Sequence, residues 1–466
     1  MKTTRRQFLG SAAAASAAAA ATLVPRHVIG GPRFVPPSER VNVALVGAGG
    51  QGRTNTRTLF QEPDVQVIAV ADPAERWNLD AFYYKGIAGR HPVKAEIEQH
   101  YGEKTPNFRC AEYEDFRVML EKEKAVDAVL CATPDHLHAY VSVLAMRSGK
   151  HVYCEKPLTH NIWEARKVAE VAKETGLATQ LGNHGHSRDT IRETCEWIWD
   201  GAIGPVREVQ IWVRAGRFNR SLTGKPTETA AVPAGLNWDL WLGPREPRPF
   251  HPTYAPVTWR DFWAFGTGAM GDFGCHDLDN SLWALDLDAP LSVEAFPAGN
   301  MDAEIAPHGE VCYYEFGPRG DKPPVKITWY DGGLQPPWPK DMGPGRPLPD
   351  HGVLFIGDRG KLLTEGWAGQ QRLLPYEKTA AYKKPPKTLA RSKGHHRDWL
   401  DACKGGPPPS ANFQYGARLT ELVLLGVLAL RLGKRIAWDA VRLKVPGVAE
   451  ADVLINEPRR KGWEIV

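Results

Sequence analysis

The chain has 466 residues, long enough for more than one hydrophobic core, and its 42% apolar and 24% charged shares fit a globular protein and exclude a disordered or fibrous one. Its net charge of +4 resides in residues 1–30, where Lys2, Arg5, Arg6 and Arg26 meet no acid, so the remainder carries equal numbers of basic and acidic groups. No basic run follows them, and binding to nucleic acid has no electrostatic support.

Residues 1–31 read as a targeting segment, because Arg5, Arg6, Gln7, Phe8 and Leu9 precede an uncharged, alanine-rich run from Gly10 to Val24. The paired arginines and weakly apolar core resemble a twin-arginine (Tat) export signal, which implies a periplasmic or otherwise exported protein. Alanine contributes too little transfer energy to hold a span, so no membrane association is expected after signal removal. Residues 32–40, rich in proline, read as a linker. The seven cysteines are odd in number and scattered, without a C-x-x-C pair, which argues against a disulfide framework and a structural zinc site. A chain that crosses already folded has no need of disulfides.

From Val41 onward, short apolar runs at Val41 to Val46, Val65 to Val70, Val126 to Cys131 and His151 to Cys154 alternate with amphipathic segments. The alternation predicts an α/β Rossmann domain over residues 41–157, a doubly wound parallel sheet. The first run ends in Gly47, Ala48, Gly49, Gly50, Gln51 and Gly52. Gly47 permits the tight turn, Gly49 clears the approach of a pyrophosphate, Gly52 allows close helix packing, and the following helix aims its amides at the phosphates. Asp72 closes the second run 20 residues beyond Gly52. A carboxylate there accepts from ribose hydroxyls and repels a 2′-phosphate, which favours NAD over NADP.

The third run leads into Thr133, Pro134, Asp135, His136, Leu137 and His138, and the fourth into Glu155, Lys156 and Pro157. These TP-x-x-x-H and EKP segments, at this spacing, resemble the Gfo/Idh/MocA oxidoreductase family from about Val41 to the C-terminus. The resemblance implies that Thr133, Pro134, His138 and Glu155 contact the cofactor, and that Lys156 contacts both cofactor and substrate hydroxyl. For residues 158–466 it implies an α+β domain with an open, mainly antiparallel sheet that serves substrate binding and homo-oligomer formation. Alternating apolar runs at Val206 to Val213, Leu291 to Phe296, Val311 to Phe316 and Val325 to Trp329 fit that sheet. Helices are expected near Ile162 to Thr175, Arg188 to Trp199, His396 to Cys403 and Tyr415 to Leu432.

Asp272 and His276, in the run Gly268 to Asp279, stand four apart and share one helix face. In the family these positions supply the acid/base pair beside the lysine. Oxidising an alcohol requires removal of the hydroxyl proton as hydride departs, and a neutral imidazole suits that near pH 7. His276 is therefore assigned as base, Asp272 as its orienting and electrostatic partner and Lys156 as the group stabilising the alkoxide. Asn183, His184 and His186 are expected to open a helix and contact substrate, and Arg260 and Asp261, just ahead of the motif, to bind substrate hydroxyls. Two histidines do not make a metal site, and no convergent set of ligands is evident. Trp212, Trp238, Trp241, Trp259, Trp263 and Trp283 read mainly as core fillers.

The expected activity is NAD-dependent oxidation of a CH–OH group in a carbohydrate or polyol, with the cofactor tightly bound because an exported enzyme has no free NAD pool. A redox-neutral glycoside hydrolase, which oxidises, eliminates, hydrates and re-reduces one substrate, is the alternative. A sugar sensor without catalysis would be expected to have lost Lys156 or His276.

Overall fold

The computed structural model describes Pro36 and residues 39–465, so the expected export signal and most of the linker lie outside the described residues. The chain enters through β1 (Val41–Val46), α1 (Gly50–Leu59) and β2 (Val65–Ala71), followed by a short hairpin of β3 (Trp77–Asn78) and β4 (Ile87–Ala88). Next come α2 (Arg90–Gly102), β5 (Ala111–Tyr113), α3 (Phe116–Lys122), β6 (Ala128–Cys131), α4 (Asp135–Arg147) and β7 (His151–Cys154). Then follow α5 (Ile162–Thr175) and β8 (Thr179–Leu181).

These strands form a six-stranded sheet in the order β5-β2-β1-β6-β7-β8, with every pairing parallel. The strand order reverses between β1 and β6, so the loops after them flank the crevice where such sheets bind ligands. The parallel sheet runs past the expected boundary at 157. Its last strand, only three residues long, comes after α5 and leaves too short an apolar run to stand out in the sequence. α5 itself is bounded as expected, with the Asn161 side chain accepting from Glu164 N and Gly176 closing it in the left-handed region at φ 63.

The β1–α1 turn needs its glycines for identifiable reasons. Gly47 has φ +90, and a Cβ there would lie 2.6 Å from the Ala132 backbone, while one on Gly52 would lie 1.9 Å from Gly47 O. By contrast, nothing lies within 4 Å of the same point on Gly49, so space is open above it.

The second domain begins with α6 (Asp189–Trp199) and β9 (Val206–Val213). A long irregular stretch containing only α7 (Trp238–Leu242) and a 3-10 turn leads to α8 (Gly268–Leu285). β10 (Ser292–Ala298), β11 (Gly309–Phe316), β12 (Val325–Tyr330), β13 (His351–Gly357), β14 (Gly360–Glu365) and β15 (Gln371–Leu374) follow. The chain ends through α9 (Glu377–Ala381), α10 (His395–Cys403), α11 (Phe413–Leu432), β16 (Ile436–Ala437) and α12 (Glu450–Ile455). The eight-stranded sheet has the order β15-β14-β13-β9-β12-β11-β10-β16 and is antiparallel except for the β12–β9 pair.

α8 and α11 cover one face of this sheet, packing Met270, Leu278, Val423 and Val427 into a core shared with Ile211, Ile327 and Phe355. α11 is long and apolar enough to cross a membrane, with a mean hydropathy of 1.3, yet it is largely buried as a core helix. On the opposite face Met342, from the segment between β12 and β13, packs against Trp212, Leu354, Leu363 and Leu374. The seven cysteines are all unpaired, and all but Cys403 are buried.

Candidate active site

A cavity of about 490 Å3 lies between the two domains, a size suited to a small ligand. The Rossmann side of its wall is formed by Gly47, Gly49, Gly50 and Gln51 from the turn, Asp72 from the end of β2, and Thr133 and Pro134 after β6. Glu155 and Lys156 come from the loop after β7, and the second domain contributes Arg260, Asp272, Phe273 and His276. The sequence motifs thus converge on one space.

On the cofactor side, Asp72 accepts from Ala48 N at 2.7 Å and Ala74 N at 2.8 Å, which fixes its carboxylate beside the glycine turn. Burial pushes its carboxyl up to about 6, only partly offset by those amides. The open space above Gly49, the N-terminus of α1 and this acid fit a dinucleotide: amides for the pyrophosphate and an acceptor for the ribose. The β3–β4 segment adds what the sequence did not suggest. Tyr84 lies directly over Gly50, its hydroxyl donating to Gln51 Oε1 at 3.3 Å, while Leu79 and Ala88 pack against Val257 of the second domain. This segment spans the cavity from one domain to the other.

Glu155 and His138 line the cavity but are tied to protein. Glu155 Oε1 accepts from Asn55 Nδ2 at 2.7 Å and Gln51 Nε2 at 3.3 Å. Burial alone would raise its carboxyl, but His184, Asn55 and Lys156 outweigh that and hold it at about 2. His138 was expected to contact cofactor, yet its Nδ1 faces Pro157 O at 2.7 Å and its Nε2 faces Thr133 O at 2.8 Å. It clasps the TP and EKP loops together. Cys131 and Cys154 lie beside it with their sulfurs within 4.8 Å of its ring, a buried cluster of three potential metal-ligating groups among the described residues, in which both imidazole nitrogens already face carbonyls.

On the chemical side, Lys156 Nζ donates to Asp272 Oδ1 at 2.5 Å and Asp272 O at 2.8 Å, leaving its third proton for the cavity. Burial would discharge the lysine, but Asp272 outweighs it and keeps its pKa above the ordinary value. Burial likewise opposes the Asp272 charge, and Lys156 and Arg260 together hold its carboxyl well below the usual range. Arg260 Nε sits 3.4 Å from Asp272 Oδ1, with the guanidinium 4.2 Å over the Trp259 ring. Expected as a hydroxyl ligand, Arg260 is placed to steady Asp272. The neighbouring Asp261 points away and accepts from the backbone amides of Phe218 and Asn219.

His276 shares the inward face of α8 with Asp272, as the four-residue spacing predicts. Burial, reinforced by the Lys156 charge, holds its imidazole well below the ordinary pKa, so it is neutral at pH 7. The ring is oriented by Asn183 and not, as expected, by Asp272, which is hydrogen-bonded to Lys156, and its tautomer is also set. Asn183 Nδ2 must face the acceptor-only carboxylate of Asp279, at 2.9 Å, which turns Asn183 Oδ1 to His276 Nδ1, at 2.9 Å. The proton therefore sits on Nδ1, and Nε2 carries the free lone pair.

This corrects the reading of the Asn183 to Ser187 segment. The segment forms a 3-10 turn ahead of α6, and only His184 of the three expected substrate contacts lines the cavity. Asn183 and His186 are fully buried behind His276, where His186 Nδ1 donates to Asp279 at 3.0 Å and stacks on Trp283. Asp279, whose Oδ1 also accepts from Tyr415, was missed because an acid beside a helix motif gives no sequence sign that it faces inward. Asp135 was missed as a titrating group: it lines the cavity, and burial raises its carboxyl to about 6.

A dinucleotide cradle and a lysine on one domain, facing an acid and an imidazole on the next, define a protein of oxidoreductase type. Residues 41–183 match the family described as "Oxidoreductase family, NAD-binding Rossmann fold" and residues 196–314 its "C-terminal alpha/beta domain". The chain belongs to the Gfo/Idh/MocA oxidoreductase family, and its N-terminal domain is an NAD-binding Rossmann domain.

Among curated relatives, a levoglucosan dehydrogenase of Pseudarthrobacter phenanthrenivorans is 23% identical over 243 residues, covering 52% of this chain and 50% of its own. An inositol 2-dehydrogenase of Rubrobacter xylanophilus is 34% identical over 190 residues, covering 40% of this chain and 48% of its own. The chain thus spans about half the length of these relatives. The solved structure of the WlbA dehydrogenase from Bordetella pertussis, in complex with NADH and UDP-GlcNAcA, shares the fold with a TM-score of 0.58 at 16% identity. That match covers 86% of this chain and 99% of the other.

Proposed function

We propose that the protein is an NAD-dependent oxidoreductase that oxidises a secondary hydroxyl of a sugar or polyol. The observation that carries this reading is a neutral His276 with its lone pair on Nε2, lining the same cavity as a charged Lys156. His276 Nε2 takes the hydroxyl proton, and the Lys156 ammonium donates to the oxygen as negative charge grows there. Asp272 keeps the lysine charged and in place. Bound NAD would accept the hydride from the same carbon. The names of the relatives, a levoglucosan and an inositol dehydrogenase, support a polyhydroxylated substrate.

Two further parts of the proposal follow from the sequence and the β3–β4 segment. The twin-arginine-like N-terminus supports an exported compartment, where a dissociating cofactor would be lost. Tyr84 over Gly50 supports a cofactor that stays bound between turnovers.

The test is to purify the protein without added nucleotide, denature it and identify what is released, then offer free sugars and aryl glycosides to the intact protein. Released NAD and reduction of the bound nicotinamide by a free sugar are the expected results. Aglycone release without net NADH would redirect the reading to redox-neutral hydrolysis. Absence of nucleotide, with no binding of added NAD, would overturn it.

A further inference from the structure

We propose that Trp367 is a carbohydrate-stacking platform at the mouth of the catalytic cavity, taking the apolar C–H face of the substrate ring whose hydroxyl reaches His276. This rests on the reading of the site as a sugar or polyol oxidoreductase. Trp367 lies in the loop between β14 and β15, far in sequence from every motif that marks the site.

The loop is held in a conformation that the chain would not adopt unaided. Trp367 has φ 55 and Ala368 φ 53, so two consecutive residues with side chains occupy the left-handed region although Gly366 and Gly369 flank them. The surroundings fix this backbone from several directions. Trp367 N donates to Asp277 Oδ1 at 3.0 Å, and Trp367 O accepts from Arg188 Nη1 at 3.1 Å. Ala368 O accepts from Thr190, and Gly366 N donates to His351 O at 3.0 Å. Asp277 is fully buried, sits next to His276 on α8, and takes its second contact from His351 Nε2 at 2.5 Å. The loop is therefore bolted to the helix that carries the base.

What this arrangement holds is an indole left 46% exposed. A bulky filler would be buried, and an indole with no task would not justify strained backbone. Instead the ring lines the cavity, with its centroid 5.9 Å from that of His276 and the planes inclined at 64°. An aromatic face beside the proton acceptor suits a ring that is apolar on its C–H face and polar at its hydroxyl edge. The platform determines which ring geometries present a hydroxyl to Nε2, and it has no part in holding the cofactor.

The test uses the holoenzyme and the variants Trp367→Ala and Trp367→Phe, following reduction of bound nicotinamide by glucose, 1,6-anhydroglucose and myo-inositol. With the best of these, Trp367→Ala should raise the sugar concentration giving half the limiting reduction rate at least tenfold while the limiting rate falls less than threefold, and Trp367→Phe should return that concentration to within threefold of wild type. A change in it below twofold, or a parallel loss of NAD affinity, overturns the platform. If Trp367→Ala does not fold, wild-type protein labelled with 5-fluorotryptophan replaces it. The fluorine resonance missing from Trp367→Phe must then shift on adding the sugar, and a resonance that stays fixed at saturation overturns the proposal. A wild-type enzyme that no sugar reduces overturns the oxidoreductase reading itself and the platform with it. An active wild type with an indifferent Trp367→Ala overturns the platform alone.

Discussion

His276 Nδ1 and Asn183 Oδ1 meet at 2.9 Å, and because Asp279 holds the other end of the Asn183 amide, that contact can run in only one direction. The base is thus prepared by residues that never touch the cavity.

Replacing His276 with Ala removes the proposed proton acceptor and leaves the cofactor cradle untouched. Reduction of bound nicotinamide by sugar, followed at 340 nm in a single turnover, should slow by about a hundredfold to ten-thousandfold. NAD binding, measured by calorimetry on protein stripped of nucleotide, should stay within twofold.

Asn183→Asp sets a carboxyl between His276 Nδ1 and the Asp279 carboxylate, 2.9 Å away, and the proton that this acid pair draws in is best held on the imidazole, which favours the imidazolium. The wild-type imidazole lies well below its ordinary pKa, so activity should hold as pH falls through 6. In the variant the acid limb of the profile should move up by about one to two pH units, since an opposite charge at contact shifts a pKa by that order. A profile of unchanged shape and lower height would mean that Asn183 only supports the fold.

Asp272→Asn leaves the Lys156 and Arg260 cations facing each other without a counter-charge. Urea unfolding at pH 7 should show a loss of about 3–5 kcal/mol, the order found when one partner of a buried pair is removed. Since the folded Asp272 carboxyl lies below the model-peptide value of 3.8, its contribution is present above that pH and lost as pH falls through the lower folded value. Wild type and variant should therefore converge in stability only under strongly acid conditions.

Asp72→Ser removes the carboxylate that would face the adenosine ribose and would repel a 2′-phosphate. NAD affinity should fall by about tenfold to a hundredfold, as for loss of a hydrogen bond to a charged group, while NADP affinity should rise relative to it. In wild type the buried carboxyl titrates at about 6, so NAD affinity should weaken as pH drops through that value and one acceptor is lost. Fluorescence titrations at pH 5 and pH 7.5 with both nucleotides would check both effects.

The cofactor cradle was legible because its residues are close in sequence and each type has a geometric reason. Gly47, Gly52 and Asp72 sit at spacings that strand and helix lengths dictate. The Asp272 and His276 pair was legible for the same reason, since one helix turn fixes which side chains share a face. The Asn183 segment was misread because a 3-10 turn sends His184 toward the cavity and His186 away from it, and a spacing of two cannot show which is which. Trp367 and Tyr84 carried no signal, because each reaches the cavity from a hairpin placed by long-range contacts, β14–β15 through the pairing of β13 with β9 and β3–β4 through the packing of Leu79 and Ala88 on Val257.

The Tyr84 ring over Gly50 bears on the order of events in turnover. If the nicotinamide stays bound, as proposed, it must be oxidised and reduced in place, and donor and acceptor would use one doorway in succession. Such an enzyme works by a ping-pong cycle, in which the first product departs before the second substrate enters. Initial rates plotted reciprocally for two sugars would then give parallel lines, and each resting molecule would keep a record of which sugar it met last.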